Sequence, residues 1–435
     1  MYKNLPKKLD NMLHIWSEFN MLSLKYNALN LAHGTPGIDA PPFLIENMVK
    51  AVREGNNQYT AVQGHPELRE ALSKFYSPRF KPAINRDLDP NTEILVTVGA
   101  SSALNNAIVN LVDHGEEILT FEPFYPNYMS ITKLGRGKFR TIPLKTSPTE
   151  DGSALNFEYD WDTFEESLGP QTKVVLLTNP HNPTGKCLRK EEIERITELL
   201  EEKAPQAYVI SDDVYDFLTY DQDYEMFANV GDNWKKTITI YSGGKLMNCT
   251  GWKVGFLIAP PDLTREAALM HESSIFNLNV PGQVAIARSL DLLNQPFEGY
   301  NSYPEYVRST FAKSKDDMVD IFMNSGIPFT PTVCEGGYFV LLDASAARSL
   351  IPDQFLTPGN YEDDKDTLVI QREFKNKVPL DYAFARWFCI NKGITIMPGS
   401  SFCIEKEKDM IDNFIRVAIC KPESIVQQTR QILSQ

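Results

Sequence analysis

The sequence predicts a doubly wound, mostly parallel α/β domain followed by a smaller α+β domain. Three observations carry this. At 435 residues the chain exceeds what one core usually supports. Short apolar runs recur, each closed by Gly, Pro, Asn or Ser: Ile94–Val98, Ile118–Phe121, Val174–Thr178, Tyr208–Ser211, Thr237–Tyr241 and Val254–Ile258. These read as buried parallel strands, and helical patterns separate several of them.

The first such helix begins near Ala103 and carries Leu104, Ala107, Ile108 and Leu111 on one stripe, and a second sets Ile193, Ile196, Leu199 and Leu200 among Glu, Arg and Lys. Strand and helix alternate from about Glu46 to Leu293, which defines the α/β domain. Beyond it, Tyr303–Ser325 reads as a long amphipathic helix. Short strands at Tyr338–Leu342 and Phe414–Ile419 then mix with helices around Ala383–Asn391 and Glu423–Leu433. The segment Ile351–Lys377, with Pro352, Pro358, Gly359 and the acidic run Glu362–Asp366, has the composition of a surface insertion.

Composition narrows the function. The six cysteines (Cys187, Cys249, Cys334, Cys389, Cys403, Cys420) are scattered and form no C-x-x-C pair, and the six histidines form no i, i+4 pair, so neither a disulfide framework nor a metal site is expected. A net charge of −14 argues against a nucleic-acid surface and for a small-molecule partner. No run reaches membrane-spanning length, and the opening segment carries Asp10 and no Arg, unlike a mitochondrial transit peptide, so a cytoplasmic location is expected.

The chemically suggestive residues mostly sit at strand C-terminal ends, where open α/β sheets place their ligands. Lys245 follows a strand across the bend Ser242-Gly243-Gly244, with Lys253 eight residues on. A lone lysine is ordinarily a solvated cation, but a bend among apolar residues aims this amine inward, and desolvation lowers its pKa. Asp212 and Asp213 end another strand, with Tyr215 behind them; Asp212 is either an N-cap or a partner for a pyridinium nitrogen. Two Asn-Pro units in Asn179-Pro180-His181-Asn182-Pro183 make a rigid bend that holds the Asn182 amide. Gly99-Ala100-Ser101-Ser102 opens a helix, where Ser101 and Ser102 serve either as plain caps or as a phosphate seat. Tyr125, in Glu122-Pro123-Phe124-Tyr125-Pro126, offers a ring to stack on a flat cofactor or to fill the core. Arg416 lies inside an apolar strand and needs a carboxylate, supplied by the protein or by a substrate.

Taken together, S-G-G-K-x5-G-W-K-x-G, N-P-H-N-P-T-G, S-D-D-x-Y and the late F-I-R resemble fold type I, class I/II aminotransferases, over nearly the whole chain. Within that family the chain is most similar to kynurenine aminotransferases, also called glutamine transaminase K or cysteine-conjugate β-lyases. That likeness rests on Ile15-Trp16-Ser17-Glu18-Phe19, Leu31-Ala32-His33-Gly34-Thr35-Pro36, Tyr59-Thr60-Ala61-Val62-Gln63-Gly64, Val96-Thr97-Val98-Gly99, Glu122-Pro123-Phe124-Tyr125 and Arg386-Trp387-Phe388.

The resemblance implies pyridoxal 5'-phosphate bound as a Schiff base on Lys245, Asp212 on the pyridine nitrogen, Tyr215 and Asn182 on the ring oxygen, and Tyr125 stacked on the ring. It places Ser101, Ser102, Ser242 and Lys253 around the phosphate, with Tyr59 reaching across a homodimer. Arg416 grips the substrate carboxylate, helped by Asn182 and the Gly34 backbone, and Trp16 lines the side-chain pocket. The implied layout is an N-terminal arm and first part of the small domain over 1–45, a large cofactor-binding domain over 46–300, and a small C-terminal domain over 301–435. The implied reaction is ping-pong transfer of an amino group from an L-amino acid of kynurenine, glutamine, methionine or aromatic type to a 2-oxo acid.

Some residues depart from the pattern. Lys253 stands where many members have Arg, Asp213 where Glu is usual, Phe276-Asn277-Leu278-Asn279 lacks a His found in some kynurenine enzymes, and the insertion looks long. A rival within the enzyme class is β-elimination from cysteine conjugates at the same site. A rival outside it is a non-catalytic, cofactor-holding transcription regulator; the roughly forty residues before the α/β domain lack a basic recognition helix, which argues against it.

Overall fold

The computed structural model describes residues 14–358, 378–404 and 411–434. Seven strands form its central sheet, in the order Ile94–Val98, Val254–Ile258, Thr237–Ser242, Tyr208–Asp212, Thr172–Thr178, Glu117–Glu122 and Lys138–Pro143. Side chains alternate across a strand. In Thr172–Thr178, Val174 and Leu176 pack on one face with Leu104, Ile108 and Leu263. Val175 and Leu177 pack on the other with Ile193, Ile196 and Leu199 of the helix Lys190–Lys203. Both faces are apolar because helices cover both, which is why these strands read as continuous hydrophobic runs.

One expectation fails. Val254–Ile258 runs antiparallel to both Ile94–Val98 and Thr237–Ser242, whereas the other described pairings in this sheet are parallel. The connection before it, residues 243–253, holds only the four-residue helix Gly243–Leu246 and a tight turn at Thr250–Trp252. A parallel return needs a crossover of a dozen or more residues, usually helical. Two further differences are local. The edge strand Lys138–Pro143 escapes a search for apolar runs because Lys138 and Arg140 face solvent. The helix expected from Ala103 begins at Gly99, whose φ of +68° turns the chain directly out of the strand.

A second sheet is antiparallel throughout, in the order Thr330–Pro331, Phe339–Asp343, Phe414–Ala418 and Met397–Pro398. The long helix Tyr303–Met323 and the helices Leu380–Lys392 and Glu423–Leu433 accompany it. Chain beginning and end meet here: Leu29–Asn30 pairs with Ile394–Thr395, and Phe19 of the helix His14–Lys25 packs edge-on against Tyr382 at 5.8 Å. Of the insertion expected over Ile351–Lys377, the described part contains a short helix, Asp353–Leu356, and residues 359–377 with the acidic run lie outside the described residues.

A tight backbone joint lies between Gly255 and the start of the helix Gly99–Leu111. A Cβ at Gly255 would sit 2.4 Å from the Ala100 nitrogen and 2.4 Å from the Gly99 carbonyl carbon, both backbone atoms that cannot step aside. Gly255→Ala is therefore expected to destabilise the protein by at least the ~1–3 kcal/mol typical of overpacking. A calorimetric melting temperature equal to that of the parent would contradict this packing.

Candidate active site

The strand ends and the small sheet enclose a cavity of about 650 Å³, within the usual range for small-molecule sites. Among the residues lining it are Trp16, Gly34, Ser101, Tyr125, Asn182, Asp212, Tyr215, Ser242, Lys245, Lys253 and Arg416, eleven positions singled out from the sequence. Two others do not line it. Ser102 lies in the first turn of the same helix as Ser101, beside the lining residues but not one of them. Tyr59 is 81% exposed and rests edge-on against Phe276 at 5.5 Å.

Lys245 occupies the third position of the helix Gly243–Leu246, which Ser242 caps by accepting the Lys245 N–H at 3.2 Å. The glycines before it permit the bend: a Cβ on Gly244 would lie 3.1 Å from the Thr250 Cα. The Lys245 Nζ reaches the Gly34 carbonyl oxygen at 3.4 Å and hovers over the Tyr338 ring, 4.5 Å from its centre. One side of the amine borders the cavity while protein surrounds the rest, and this desolvation pulls its pKa down to about 8.

Asp212 closes its strand with no helix after it, so the capping role considered from the sequence does not apply. Its Oδ2 accepts a hydrogen bond from the Tyr128 hydroxyl at 2.6 Å, and its buried Oδ1 has no partner. Burial pushes this carboxyl up to about 6, against the opposing pull of the Tyr128 bond. The neighbouring Asp213 faces elsewhere: it accepts from the Ser211 hydroxyl at 2.7 Å and from Tyr224, and burial pushes it up to about 8. Tyr128 was not among the residues picked from the sequence. It lies one turn beyond Tyr125 in the helix Asn127–Leu134, and its partner comes from another strand, so chain spacing gives little signal.

The opposite end of the cavity is cationic. The helix Gly99–Leu111 starts there without a side-chain cap, since its N-cap is Val98, leaving first-turn N–H groups and the positive end of the helix dipole directed outward. Ser101 and Ser102 are thus not caps. Lys253, itself at φ +57°, folds its side chain over Gly99, where an added Cβ would come within 2.9 Å of the ammonium. The Tyr125 hydroxyl accepts from the Asn127 amide at 3.0 Å.

Arg416 projects from the middle of Phe414–Ala418 and is 1% exposed. Its guanidinium donates to Asn182 Oδ1 at 3.0 Å and to the Ala32 carbonyl at 2.9 Å, while Nε has no partner. The Phe339 ring lies 3.6 Å from the guanidinium carbon and the Phe402 ring 4.4 Å. Burial pushes its pKa down, yet a delocalised guanidinium keeps its charge in proteins. Among the described residues no carboxylate pairs with it, so of the two partners considered from the sequence the protein supplies none.

The chain belongs to the class I and II aminotransferase family, which it matches over residues 26–430. It is an aminotransferase. Similar proteins include the kynurenine–oxoglutarate transaminase of Dictyostelium discoideum, 32% identical with 96% of this chain and 93% of the relative covered, and kynurenine–oxoglutarate transaminase 1 of Mus musculus, 31% identical with 95% and 92% covered. The solved structure of YbdL from Escherichia coli, described as having a methionine aminotransferase function, superimposes with a TM-score of 0.81 at 26% identity, covering 99% of this chain and 98% of that one.

The raised pKa of Asp212 makes a prediction for the cofactor-free protein. A carboxyl that binds its proton more tightly when folded loses stability as pH rises from its unfolded value of 3.8 through about 6. Above that window the buried charge costs about 3 kcal/mol, from 1.36 kcal/mol per pKa unit. Asp212→Asn keeps an acceptor for Tyr128 and removes the charge, so it is expected to melt above the parent at pH 8, with the gap closing toward pH 4. A variant that melts below the parent at pH 8 would contradict this sign.

Proposed function

We propose that the cavity binds pyridoxal 5'-phosphate, with Lys245 as its covalent attachment point, and transfers amino groups between an L-amino acid and a 2-oxo acid in two alternating half-reactions. The residues present fit that group. The orphaned Oδ1 of Asp212 suits a protonated ring nitrogen, and the uncapped helix start with Lys253 suits a phosphate. When bound, the cofactor supplies an electron sink for negative charge at the substrate Cα.

The rest is done by side chains of this protein. Lys245, its amine depressed to about 8, holds and moves the Cα proton near neutral pH. Asp212, ionised once a cation faces it, keeps the ring nitrogen protonated. Asn182 gives its carbonyl oxygen to Arg416, so its NH₂ is left to donate to the ring oxygen together with the Tyr215 hydroxyl. Tyr125 stacks on the ring, and Ser101, Ser102, Ser242 and Lys253 serve the phosphate. Arg416 binds the α-carboxylate with Gly34 beside it, while Phe339, Phe402 and Trp16 exclude water and so strengthen that charge pair.

The buried guanidinium of Arg416, open at Nε and without a carboxylate partner among the described residues, is the observation that carries this reading. The relatives' names point to kynurenine or methionine as donor and 2-oxoglutarate as acceptor, and the likeness in sequence adds glutamine and aromatic amino acids as candidate donors. The exposed Tyr59 beside Phe276 suits a homodimer in which Tyr59 of one copy reaches the phosphate of the other. Division at residues 45 and 300 into arm, large and small domains, and a cytoplasmic setting, complete the proposal.

Steady-state kinetics with kynurenine and 2-oxoglutarate test it. Parallel double-reciprocal lines are expected. Arg416→Lys, which cannot reproduce the fork of donors, is expected to lower kcat/KM for the donor about 100-fold, the scale of one lost bidentate charge pair. No transamination from any of these donors, or an unaffected Arg416→Lys, would overturn the assignment.

A further inference from the structure

A second buried cation stands behind Arg416. Lys421, just past the strand Phe414–Ala418, is 8% exposed and has no carboxylate partner among the described residues. It does not line the cavity. Its ammonium donates instead to two backbone carbonyls, His33 at 2.8 Å and Thr35 at 3.5 Å, which flank Gly34.

Peptide geometry turns these contacts into an orientation. The His33 carbonyl and the Gly34 N–H share one planar trans peptide and point in opposite directions. Fixing the His33 oxygen therefore fixes where the Gly34 N–H points. Among the described residues that N–H has no acceptor, and Gly34 lines the cavity with Arg416. The chain is tied down on either side, by Ala418 N–H to the Leu31 carbonyl at 2.8 Å and Gly37 N–H to the Cys420 carbonyl at 2.8 Å. Between those ties, Lys421 reaches residues 33 and 35 from just past the strand's end, and the Cys420 thiol adds a contact 3.8 Å from the Thr35 oxygen. A side chain at Gly34 would force a shift of the Phe339 ring that also faces Arg416, since its Cβ would lie 2.5 Å from that ring.

We infer that Lys421 is a positioning residue that aims the Gly34 N–H, alongside the Arg416 guanidinium, at the carboxylate of the substrate. This rests on the reading of Arg416 as the carboxylate site. Lys421 acts through the backbone and touches no reactant. Gly34 also offers its own carbonyl to the Lys245 amine, so the same anchor keeps the carboxylate donor and the catalytic lysine in one register.

The test uses cofactor-loaded protein and hydrocinnamate, an unreactive carboxylate without an amino group, with hydrocinnamide as its uncharged counterpart. Calorimetric titration reads the Kd, and hydrogen exchange over residues 31–37 reads the loop. Lys421→Met is expected to weaken hydrocinnamate binding about tenfold, the scale of one charge-assisted hydrogen bond, and to speed exchange over 33–37. Hydrocinnamide binding stays unchanged, and Lys421→Arg, which keeps a donor for the two carbonyls, recovers most of the affinity. An unchanged Kd in both Lys421→Met and Lys421→Gln overturns the inference, and so does a weaker Kd without faster exchange, because Lys421 then acts by charge alone. Arg416→Lys is titrated in parallel: if it leaves hydrocinnamate binding intact the carboxylate reading itself fails, whereas a loss there beside intact Lys421→Met binding overturns only the positioning role.

Discussion

Desolvation of charge around one cavity governs the site. Lys245, Lys253 and Arg416 face a single carboxylate, Asp212, and none of the three cations has an ion-pair partner among the described residues. Taking charges out of water is costly unless they are paired. Here the protein leaves them unpaired, so the free energy of pairing is available to a ligand that brings its own anionic groups. The depressed amine of Lys245 and the raised carboxyl of Asp212 are two readings of that one constraint.

The scaffold maintains this arrangement because each charged group is fastened to a stiff element. Asp212 ends a central strand, Lys245 follows another through a glycine bend, and Arg416 projects from the middle of the small sheet. Backbone against backbone at Gly255, and the Phe339 ring against the bare Cα of Gly34, fix the separation of these elements. Aromatic rings of Tyr338, Phe339 and Phe402 fill the space around the cations and keep water out.

Sequence reasoning reached most of this arrangement for a physical reason. In a doubly wound sheet, residues just past strand ends share one rim, so Asn182, Asp212 and Lys245 could be grouped before their distances were known. What escaped it depends on pairing across the chain. An apolar run is the same read in either direction, so the antiparallel course of Val254–Ile258 left no trace in its composition. The Tyr128 contact with Asp212 joins residues 84 positions apart, and Lys421 reaches His33 across 388. Whether Arg416 met a protein carboxylate or awaited one from a substrate was likewise decided only by its surroundings.

Lys245 is the residue on which every other proposed role in the cavity depends. Borohydride reduction of the cofactor-loaded protein, followed by peptide mapping, tests it directly. A visible absorption band that reduction converts into a covalent label on Lys245 is the predicted result. Absence of a band after loading with pyridoxal 5'-phosphate, or a label on a different lysine such as Lys253, would contradict it.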